Sequence, residues 1–232
     1  MRLDFLTLFP EIIQPALDSS ILKRAAQKGH AEYHLHNIRD YSTDKHQSVD
    51  DTPYGGGPGM VMRIEPIAAC IRKLQSERQY DEVIFLCPDG ETLNQSMANQ
   101  LSHHQNLIFL AGHYKGIDQR IRDLFITKEI SIGDFVLSGG ELPALVVADS
   151  IVRLLPGVLN DETSALSDSF MNGLLDAPIY TRPADFEGKK VPEILLSGNF
   201  AKINAWRDEQ AIEKTKVRRP DVYKKYVEQE GE

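Results

Sequence analysis

The sequence predicts an α/β fold built around a mostly parallel sheet, and three observations support this. Short apolar runs alternate with segments of helical spacing over the first 155 residues. A helix between two strands is the connection that neighbouring parallel strands require. Three of the apolar runs end in turns that contain glycine or proline, which separate a strand from the next helix. Taken without any resemblance to known proteins, this pattern favours a doubly wound sheet.

The strand-like segments are continuous apolar runs or alternate with the period of two that a strand imposes. RLDFLTLF, at 2–9, is the first of them, and AEYHLHNI, at 31–38, alternates clearly. EVIFLC, NLIFLAG and EISIGDF follow at 82–87, 106–112 and 129–135.

The helix-like segments have apolar residues at spacings of three and four. The first, at 19–29, begins at a serine cap and ends at Gly29. Four more segments share its spacing, namely 65–77, 94–102, 117–125 and the long apolar 141–155. They fall between the strand-like segments or directly after the last one, as βα units require.

The character of the sequence changes after Pro156. Residues 157–168 are polar and poor in large apolar side chains, which is typical of a mobile linker. Residues 177–199 are rich in proline and predicted to be extended, whereas 199–219 and 220–229 return to helical spacing. We therefore predict a first domain at 1–157, a flexible linker at 158–175 and a C-terminal domain at 176–232.

Composition and charge limit the function classes. The net charge of −8 argues against a general nucleic-acid coat. The segment from Arg182 to Lys225, however, contains eleven Lys and Arg but only seven Asp and Glu. This excess of positive charge allows one basic patch, although mixed charges can equally solvate helices. Two cysteines are too few for a disulfide framework or a cysteine-based zinc site. With no apolar run of membrane-spanning length, we expect a cytoplasmic protein.

The stretch DTPYGGGPGMVM, at 51–62, is the most unusual local feature. Glycines let backbone N–H groups approach an anion closely, but no Gly-Lys-Ser/Thr follows, so the phosphate-loop signature is missing. From its own chemistry, a structural turn and a ligand loop are equally open. The seven histidines form no metal-binding pair on a helix, and LSGGE is not the nucleophile elbow G-x-S-x-G.

Three strand ends carry turn residues where a flat ligand could approach the backbone: FLCPDG, FLAGHYKG and SIGDFVLSGG. Ligands of open α/β sheets bind outside the carboxyl ends of the strands. Each turn alone is most simply an ordinary connection to the next helix. Three in succession favour a nucleotide-like cofactor.

Asp168 and Arg153 are candidate catalytic residues. Asp168 ends the polar linker, so it could act as a general base on a segment that closes over a site; a helix cap or turn aspartate is the alternative. Arg153 follows a mostly apolar helical stretch, where its charge requires a partner such as an anion or an electron-rich substrate.

Several long strings resemble one protein family. VDDTPYGGGPGMVM, IGDFVLSGGELPA, LLPGVL, DSF followed by GLLDAPIYTRP, and VPEILLSGNFAKINAWR are similar to the bacterial tRNA (guanine-N1)-methyltransferases, the TrmD family, in the same order from Met1 to about Tyr223. The resemblance implies methyl transfer from S-adenosylmethionine to N1 of guanine 37 of tRNA. It also implies a SPOUT fold with a deep trefoil knot, which replaces the doubly wound sheet, and a homodimer whose subunits share each active site. Magnesium is associated with this family, but nothing in the sequence indicates a site for it.

The resemblance also implies roles for individual residues. Asp168 would be the general base, and Arg153 would stabilise negative charge on the guanine. The cofactor would lie against residues of the three strand ends: Phe85, Leu86, Cys87, Pro88, Gly112, Tyr114, Gly116, Ile132, Gly133, Phe135, Leu137, Gly139, Gly140 and Pro143. Residues of the glycine-rich stretch and of the basic C-terminal region would meet the RNA: Asp50, Tyr54, Gly55, Gly59, Lys202, Arg207, Lys214, Lys216, Arg218 and Arg219.

The chain departs from the family at a few of these positions. His113 and Lys115 stand where the family usually has arginine and glutamate, and Phe135 replaces a usual tyrosine. Gln47 and Phe200 differ in the same way from a common arginine and a common histidine. Three alternatives to this function remain open. They are a methyltransferase with another RNA target, a tRNA-binding protein that has lost catalysis, and a nucleotide hydrolase, although the hydrolase would lack its phosphate-binding lysine.

Overall fold

The computed structural model describes residues 1–159 and 168–230. The chain divides into two compact units, Met1–Asn160 and Asp161–Glu232. The strands of the first unit are β1 (Arg2–Thr7), β2 (Glu32–Asn37), β3 (Asp50–Asp51), β4 (Val61–Met62), β5 (Glu82–Thr92), β6 (Asn106–Ala111) and β7 (Lys128–Ser131). Five of them form one sheet in the order β2-β1-β6-β5-β7. Every neighbouring pair in that sheet is parallel, which confirms the predicted class.

Helices cover both faces of this sheet. They are α1 (Pro10–Leu17), α2 (Ser20–Gln27), α3 (Ile64–Glu77), α4 (Gln95–Ser102), α5 (Gln119–Phe125) and α6 (Glu141–Val152). Side chains of α1, α2, α4 and α6 pack on one face with Phe5 and Phe109, whose rings stack at 5.3 Å. Side chains of α3 and α5 pack on the other face, with Leu6 and Ile108. Since side chains alternate along a strand, each strand supplies both cores.

Most predicted elements of the first unit are present, and the differences have local causes. Helix α1 was not predicted from the sequence, and it contains two prolines, Pro10 and Pro15. Pro10 occupies the first turn, where its missing N–H costs nothing, and Ile13 and Leu17 bury one face. Strand β7 ends at Ser131, four residues before the predicted end. Gly133 has a φ of +143°, and its carbonyl accepts a hydrogen bond from the Ser131 hydroxyl, so the chain turns there.

Within its described residues, 168–230, the second unit contains a small hairpin and three helices. They are β8 (Asp185–Phe186), β9 (Lys189–Lys190), α7 (Glu193–Leu196), α8 (Phe200–Arg218) and α9 (Pro220–Glu230). The two long helices confirm the predicted helical segments. The side chain of Asn199 caps α8 by accepting the Lys202 N–H, and Pro220 begins the next helix. Residues 160–167 of the predicted linker lie outside the described residues.

A buried carboxylate stabilises the start of β1. Asp4 is fully buried and accepts hydrogen bonds from Arg2, from Tyr80 and from the Nε2 of His36. Burial alone would raise its pKa, but the hydrogen bonds from His36, Arg2 and Tyr80 outweigh burial and lower the pKa to about 2. The ionised form of Asp4 is therefore favoured in the folded protein.

We expect this network to make the stability of the protein dependent on pH. A lowered pKa means that the stabilisation, about 2 kcal/mol, is fully present above the unfolded value near 4 and is lost as the pH falls through about 2. Asp4→Asn should therefore unfold at lower urea concentration than the parent at pH 7, and the difference should shrink as the pH falls below about 4. Asp123→Asn, which changes an exposed carboxylate, is the control. An unchanged difference across that range would contradict the assignment.

Candidate active site

A cleft of about 340 Å³ lies at the carboxyl ends of β5, β6 and β7. Its walls are residues 85–89 of β5 and the turns that follow β6 and β7, together with Arg122 of α5 and Pro143 of α6. Carboxyl ends of parallel strands meet at one edge of a sheet, so turns that are distant in sequence come together there. The cleft combines apolar side chains such as Phe85 and Ile117 with the backbone of several glycines.

The first wall is an excursion of β5. Leu86 and Glu91 both pair with Ile130 of β7, so the four residues between them leave the ladder and the strand then rejoins it. Gly90 makes the return possible, because a Cβ at this position would lie 2.6 Å from the backbone of Glu129 and Ile130. Cys87, Pro88 and Asp89 of the excursion therefore line the cleft.

Arg122 holds this excursion in place. Its guanidinium donates to both carboxylate oxygens of Glu129, at 2.7 and 2.9 Å, and to Asp89 at 2.7 Å. It also lies over the Phe85 ring, 5.2 Å from the centroid, and 3.5 Å from the Cys87 sulfur. The hydrogen bonds with Glu129 raise the pKa of Arg122, so this cation is permanent. It ties α5 and β7 to the wall of the cleft.

Cys87 itself is not a nucleophile in this setting. Burial raises the pKa of its thiol to about 12, and nearby Asp89 adds to the effect. The thiol therefore stays protonated at neutral pH and packs as a small apolar group.

The turn after β6 forms the second wall of the cleft, and the turn after β7 forms the third. These two walls contact each other through their backbones. The Gly140 N–H donates to the Gly112 carbonyl at 2.8 Å, and His113 forms an isolated bridge with Gly139. A Cβ at Gly140 would lie 2.8 Å from the Ala111 Cα. The turns after β6 and β7 are therefore in backbone contact where α6 begins, and only glycine fits there.

Polar groups behind this contact form a buried chain. Glu141, at the start of α6, is almost fully buried and accepts a hydrogen bond from the Thr7 hydroxyl at 2.7 Å. The same hydroxyl accepts the Phe9 N–H. Glu141 and the Nδ1 of His113 both flank Gly139, and that Nδ1 is buried without a hydrogen-bond partner among the described residues. This chain fixes the start of α6 to the end of β1.

The glycine-rich stretch lies against the turn after β6. The Lys115 N–H donates to the Met60 carbonyl at 3.0 Å, and the Met62 N–H donates to the Gly116 carbonyl at 2.9 Å. The glycines at 55, 56, 57 and 59 all have positive φ, which explains why the stretch is so rich in this residue. Tyr54 is fully exposed on this loop.

All fourteen residues that the resemblance assigned to the cofactor line this one cleft. The residues assigned to RNA are divided between the two units. Asp50, Tyr54, Gly55 and Gly59 lie in the glycine-rich stretch and its strand β3, outside the lining of the cleft. The C-terminal group lies on α8 and its cap: Lys202, Arg207, Lys214, Lys216, Arg218 and Arg219.

Two of these cations have partners within the second unit. The ammonium of Lys214 donates to the Asp176 carbonyl at 2.7 Å, and Arg219 forms an ion pair with Asp221. Arg153 is the C-terminal cap of α6 in the first unit, and Asp168 belongs to the second unit, where it borders another cavity. Both have interactions in the structure.

Sequence reasoning missed Arg122, Glu129 and Glu141, although all three shape the cleft. They lie within helices or a strand, whereas the sequence analysis considered the strand ends. Their roles depend on contacts between distant segments, as in the bond from Thr7 to Glu141, and no local pattern indicates such a contact.

The described residues show neither a metal-ligand cluster nor a membrane-spanning helix. They contain no group of three or more His, Cys, Asp or Glu that could hold a metal ion. None of the helices in the described part of the chain combines the length and the hydropathy needed to cross a membrane.

The fold and the cleft define an α/β protein with a cleft at one edge of its parallel sheet, the position where such sheets commonly bind ligands. The profile of a family described as tRNA (Guanine-1)-methyltransferase TrmD matches residues 1–225. The chain belongs to this family.

Its relatives are similar over nearly their whole length. A tRNA (guanine-N(1)-)-methyltransferase of Flavobacterium johnsoniae is 61% identical over 226 residues, which cover 97% of this chain and 100% of the relative. A protein of the same name from Bacteroides thetaiotaomicron is 62% identical, over 96% of this chain and 99% of the relative. Another from Porphyromonas gingivalis is 59% identical, over 97% of this chain and 100% of the relative. The resemblance seen in the sequence is thereby confirmed.

Proposed function

We propose that this protein transfers a methyl group from S-adenosylmethionine to N1 of guanine 37 of tRNA. The observation that carries the proposal is the identity of about 60%, over nearly the full length, with relatives named as tRNA (guanine-N(1)-)-methyltransferases. The cleft supports it independently, because its glycine-rich turns and apolar side chains suit a flat, nucleotide-like cofactor.

The residues present fit S-adenosylmethionine. Phe85, Leu137 and Pro143 line the cleft and offer apolar contacts for an adenine ring, and the glycine-rich turns let a flat ring approach the backbone closely. When bound, the cofactor supplies an electrophilic methyl group on a sulfonium. The protein's own part is to hold that methyl group in line with N1, which can contribute several orders of magnitude to the rate. Because the described residues offer no cluster of metal ligands, no step is assigned to magnesium.

The guanine must lose a proton for this reaction. N1 carries a hydrogen at neutral pH, so its lone pair becomes available only as that hydrogen leaves. We assign the removal to the carboxylate of Asp168, which accepts the N1 proton. We assign to Arg153 the stabilisation of the negative charge that then develops on O6.

We further propose that the first unit contains the trefoil knot of its family and forms a homodimer. Strand β7 lies at the edge of the sheet, and the chain that follows it contacts the turn after β6. The chain then continues as α6, which packs on the face of the sheet that contains Phe5 and Phe109. This path supports the knot. Leu142 and Val146, one turn apart on α6, are about half exposed, and Val136 nearby in sequence is 84% exposed. Such uncovered apolar side chains support a partner subunit that shares the active site.

The second unit supplies a surface for tRNA in this proposal. Lys202, Arg207, Lys216 and Arg218 are exposed cations on α8, suited to phosphates of the anticodon stem. Lys214 and Arg219 already have partners, so we expect them to contribute less. We propose 1–157 as the catalytic domain, 176–232 as the tRNA-binding domain, and 158–175 as the linker that joins them.

The proposed function is tested with unmodified tRNA transcripts that carry G or A at position 37. Labelled methyl from S-adenosylmethionine should be incorporated into the G transcript alone. Equal labelling of both transcripts would indicate another target base. RNA binding without any labelling would indicate a binding protein that has lost catalysis.

Arg122→Ala should weaken the binding of S-adenosylmethionine by roughly tenfold or more, because the excursion of β5 loses its hydrogen bonds to α5 and its wall shifts. The turnover number at saturating cofactor should change much less, since Arg122 contacts no reacting atom in this proposal. Calorimetric titration of the cofactor and the KM measure the effect. Arg120→Ala, which removes an exposed cation two residues away, is the control. An unchanged affinity in Arg122→Ala would contradict this role.

A further inference from the structure

Lys115 is fixed at the junction of the cleft and the glycine-rich stretch. Its N–H donates to the Met60 carbonyl, and the next residue, Gly116, accepts the Met62 N–H. Its side chain is exposed and borders the cleft. The backbone of Lys115 is therefore held between two loops.

The side chain of Lys115 is directed by Gly59. A Cβ at Gly59 would lie 2.9 Å from the Cγ and 3.0 Å from the Cε of Lys115. The aliphatic stem therefore lies across the bare backbone of this glycine, and the ammonium continues past it. Contact along the stem lowers the entropy cost of holding the charge in one place.

The ammonium of Lys115 forms no ion pair with a carboxylate of the described residues. None of the ion pairs among the described residues includes Lys115. Asp118, the acidic residue nearest to Lys115 in sequence, already pairs with Arg120. An exposed, oriented and unneutralised cation beside a cleft is suited to a phosphate.

We propose that Lys115 binds a backbone phosphate of the RNA next to the target nucleotide. The proposal rests on the proposed function, which supplies the RNA. Two observations favour a phosphate of the RNA over the carboxylate of the cofactor. Lys115 is exposed at the border of the cleft, and its stem lies on the same loop that presents the fully exposed Tyr54, whose ring is suited to stack on a base.

The test compares Lys115→Gln with the parent protein. We expect the KM for the G37 transcript to rise roughly tenfold with little change in the turnover number, since a phosphate contact positions the RNA. The slope of log affinity against log salt concentration should become shallower by about one, because one phosphate contact is lost. Binding of S-adenosylmethionine without RNA should be unchanged. Lys115→Arg keeps the charge and should restore most of the affinity for RNA.

Lys23→Gln is the matched control, because Lys23 is an exposed lysine of the same unit on α2 and forms no ion pair within the described residues. It should behave as the parent does. A KM and a salt dependence in Lys115→Gln that equal those of the parent would overturn the inference. Weaker binding of S-adenosylmethionine in the absence of RNA would also overturn it, because Lys115 would then bind the carboxylate of the cofactor.

Failure of this inference can be told apart from failure of the proposed function. A parent protein that methylates neither transcript refutes the proposed function, and with it the RNA contact. A parent that methylates the G37 transcript, together with a Lys115→Gln variant whose KM for that transcript and whose salt dependence equal those of the parent, refutes the contact alone.

Discussion

Asp168→Asn should lower the rate of methyl transfer to tRNA by roughly 10² to 10⁴, the range that a positioned general base contributes. Asparagine has nearly the same size and shape as aspartate but cannot accept the N1 proton at neutral pH. The guanine would then remain protonated at N1 and its lone pair unavailable. Binding of S-adenosylmethionine should be unchanged, because Asp168 belongs to the second unit and does not line the cleft of the first.

Single-turnover transfer to the G37 transcript, with cofactor and enzyme in excess, measures this effect without product release. Asp208→Asn is the control, because Asp208 is an exposed carboxylate of the same unit that borders the same second cavity as Asp168. Its single-turnover rate should match that of the parent. The residual rate of Asp168→Asn should rise with pH, since a larger share of guanine then loses its N1 proton to water. A variant rate within a few-fold of the parent would show that another group removes the proton.

The sequence predicted the class of the fold because that class is encoded locally. Apolar runs such as 82–87 and 106–112 are short, and the segments between them have helical spacing, so each element can be recognised from its own residues. The order of the strands is not local. Strand β6 lies between β1 and β5, although β5 precedes it in sequence. No periodicity carries that information, and it came only with the structure.

The candidate site likewise has features that the local sequence predicts and features that depend on contacts between distant segments. The three strand ends could be predicted, because the geometry of a parallel sheet brings them to one edge whatever the strand order. The contacts that shape them could not. Arg122 meets Asp89 across 33 residues of sequence, and Thr7 meets Glu141 across 134. The roles of Asp168 and Arg153 came from the resemblance, since an aspartate in a linker and an arginine at a helix end have many ordinary explanations.

Gly140→Ala should weaken the binding of S-adenosylmethionine by roughly 10² or more, comparable to the cost of displacing a site by about 1 Å. The cause is steric. Gly140 has a φ of −84°, which alanine adopts readily, so the backbone conformation itself is not strained. Its Cβ, however, would lie 2.8 Å from the Ala111 Cα and 2.9 Å from the Gly112 nitrogen. These are backbone atoms at the end of a central strand and cannot rotate away.

The turn after β6 or the start of α6 must therefore move, and either shift opens the contact between the second and third walls of the cleft. Overpacking of this kind also costs stability, typically about 1 to 3 kcal/mol. Calorimetric titration with S-adenosylmethionine measures the affinity, and a thermal melt measures the stability. The two readings are needed together, because a folded variant that has lost its affinity points to the geometry of the cleft.

Gly29→Ala separates this steric effect from the ordinary cost of replacing a glycine. Gly29 has a φ of +76° and open space where a Cβ would stand. Alanine there should cost about 1 kcal/mol of stability through its left-handed backbone and leave cofactor affinity unchanged. The loss of cofactor affinity in Gly139→Ala should lie between those of Gly29→Ala and Gly140→Ala. The new Cβ would meet the side chains of Glu141 and His113, which can shift more easily than backbone. Affinities that fall in the order Gly29→Ala, Gly139→Ala, Gly140→Ala would show that backbone contact between the two turns shapes the cofactor cleft; an unchanged affinity in Gly140→Ala would show that the cleft tolerates their separation.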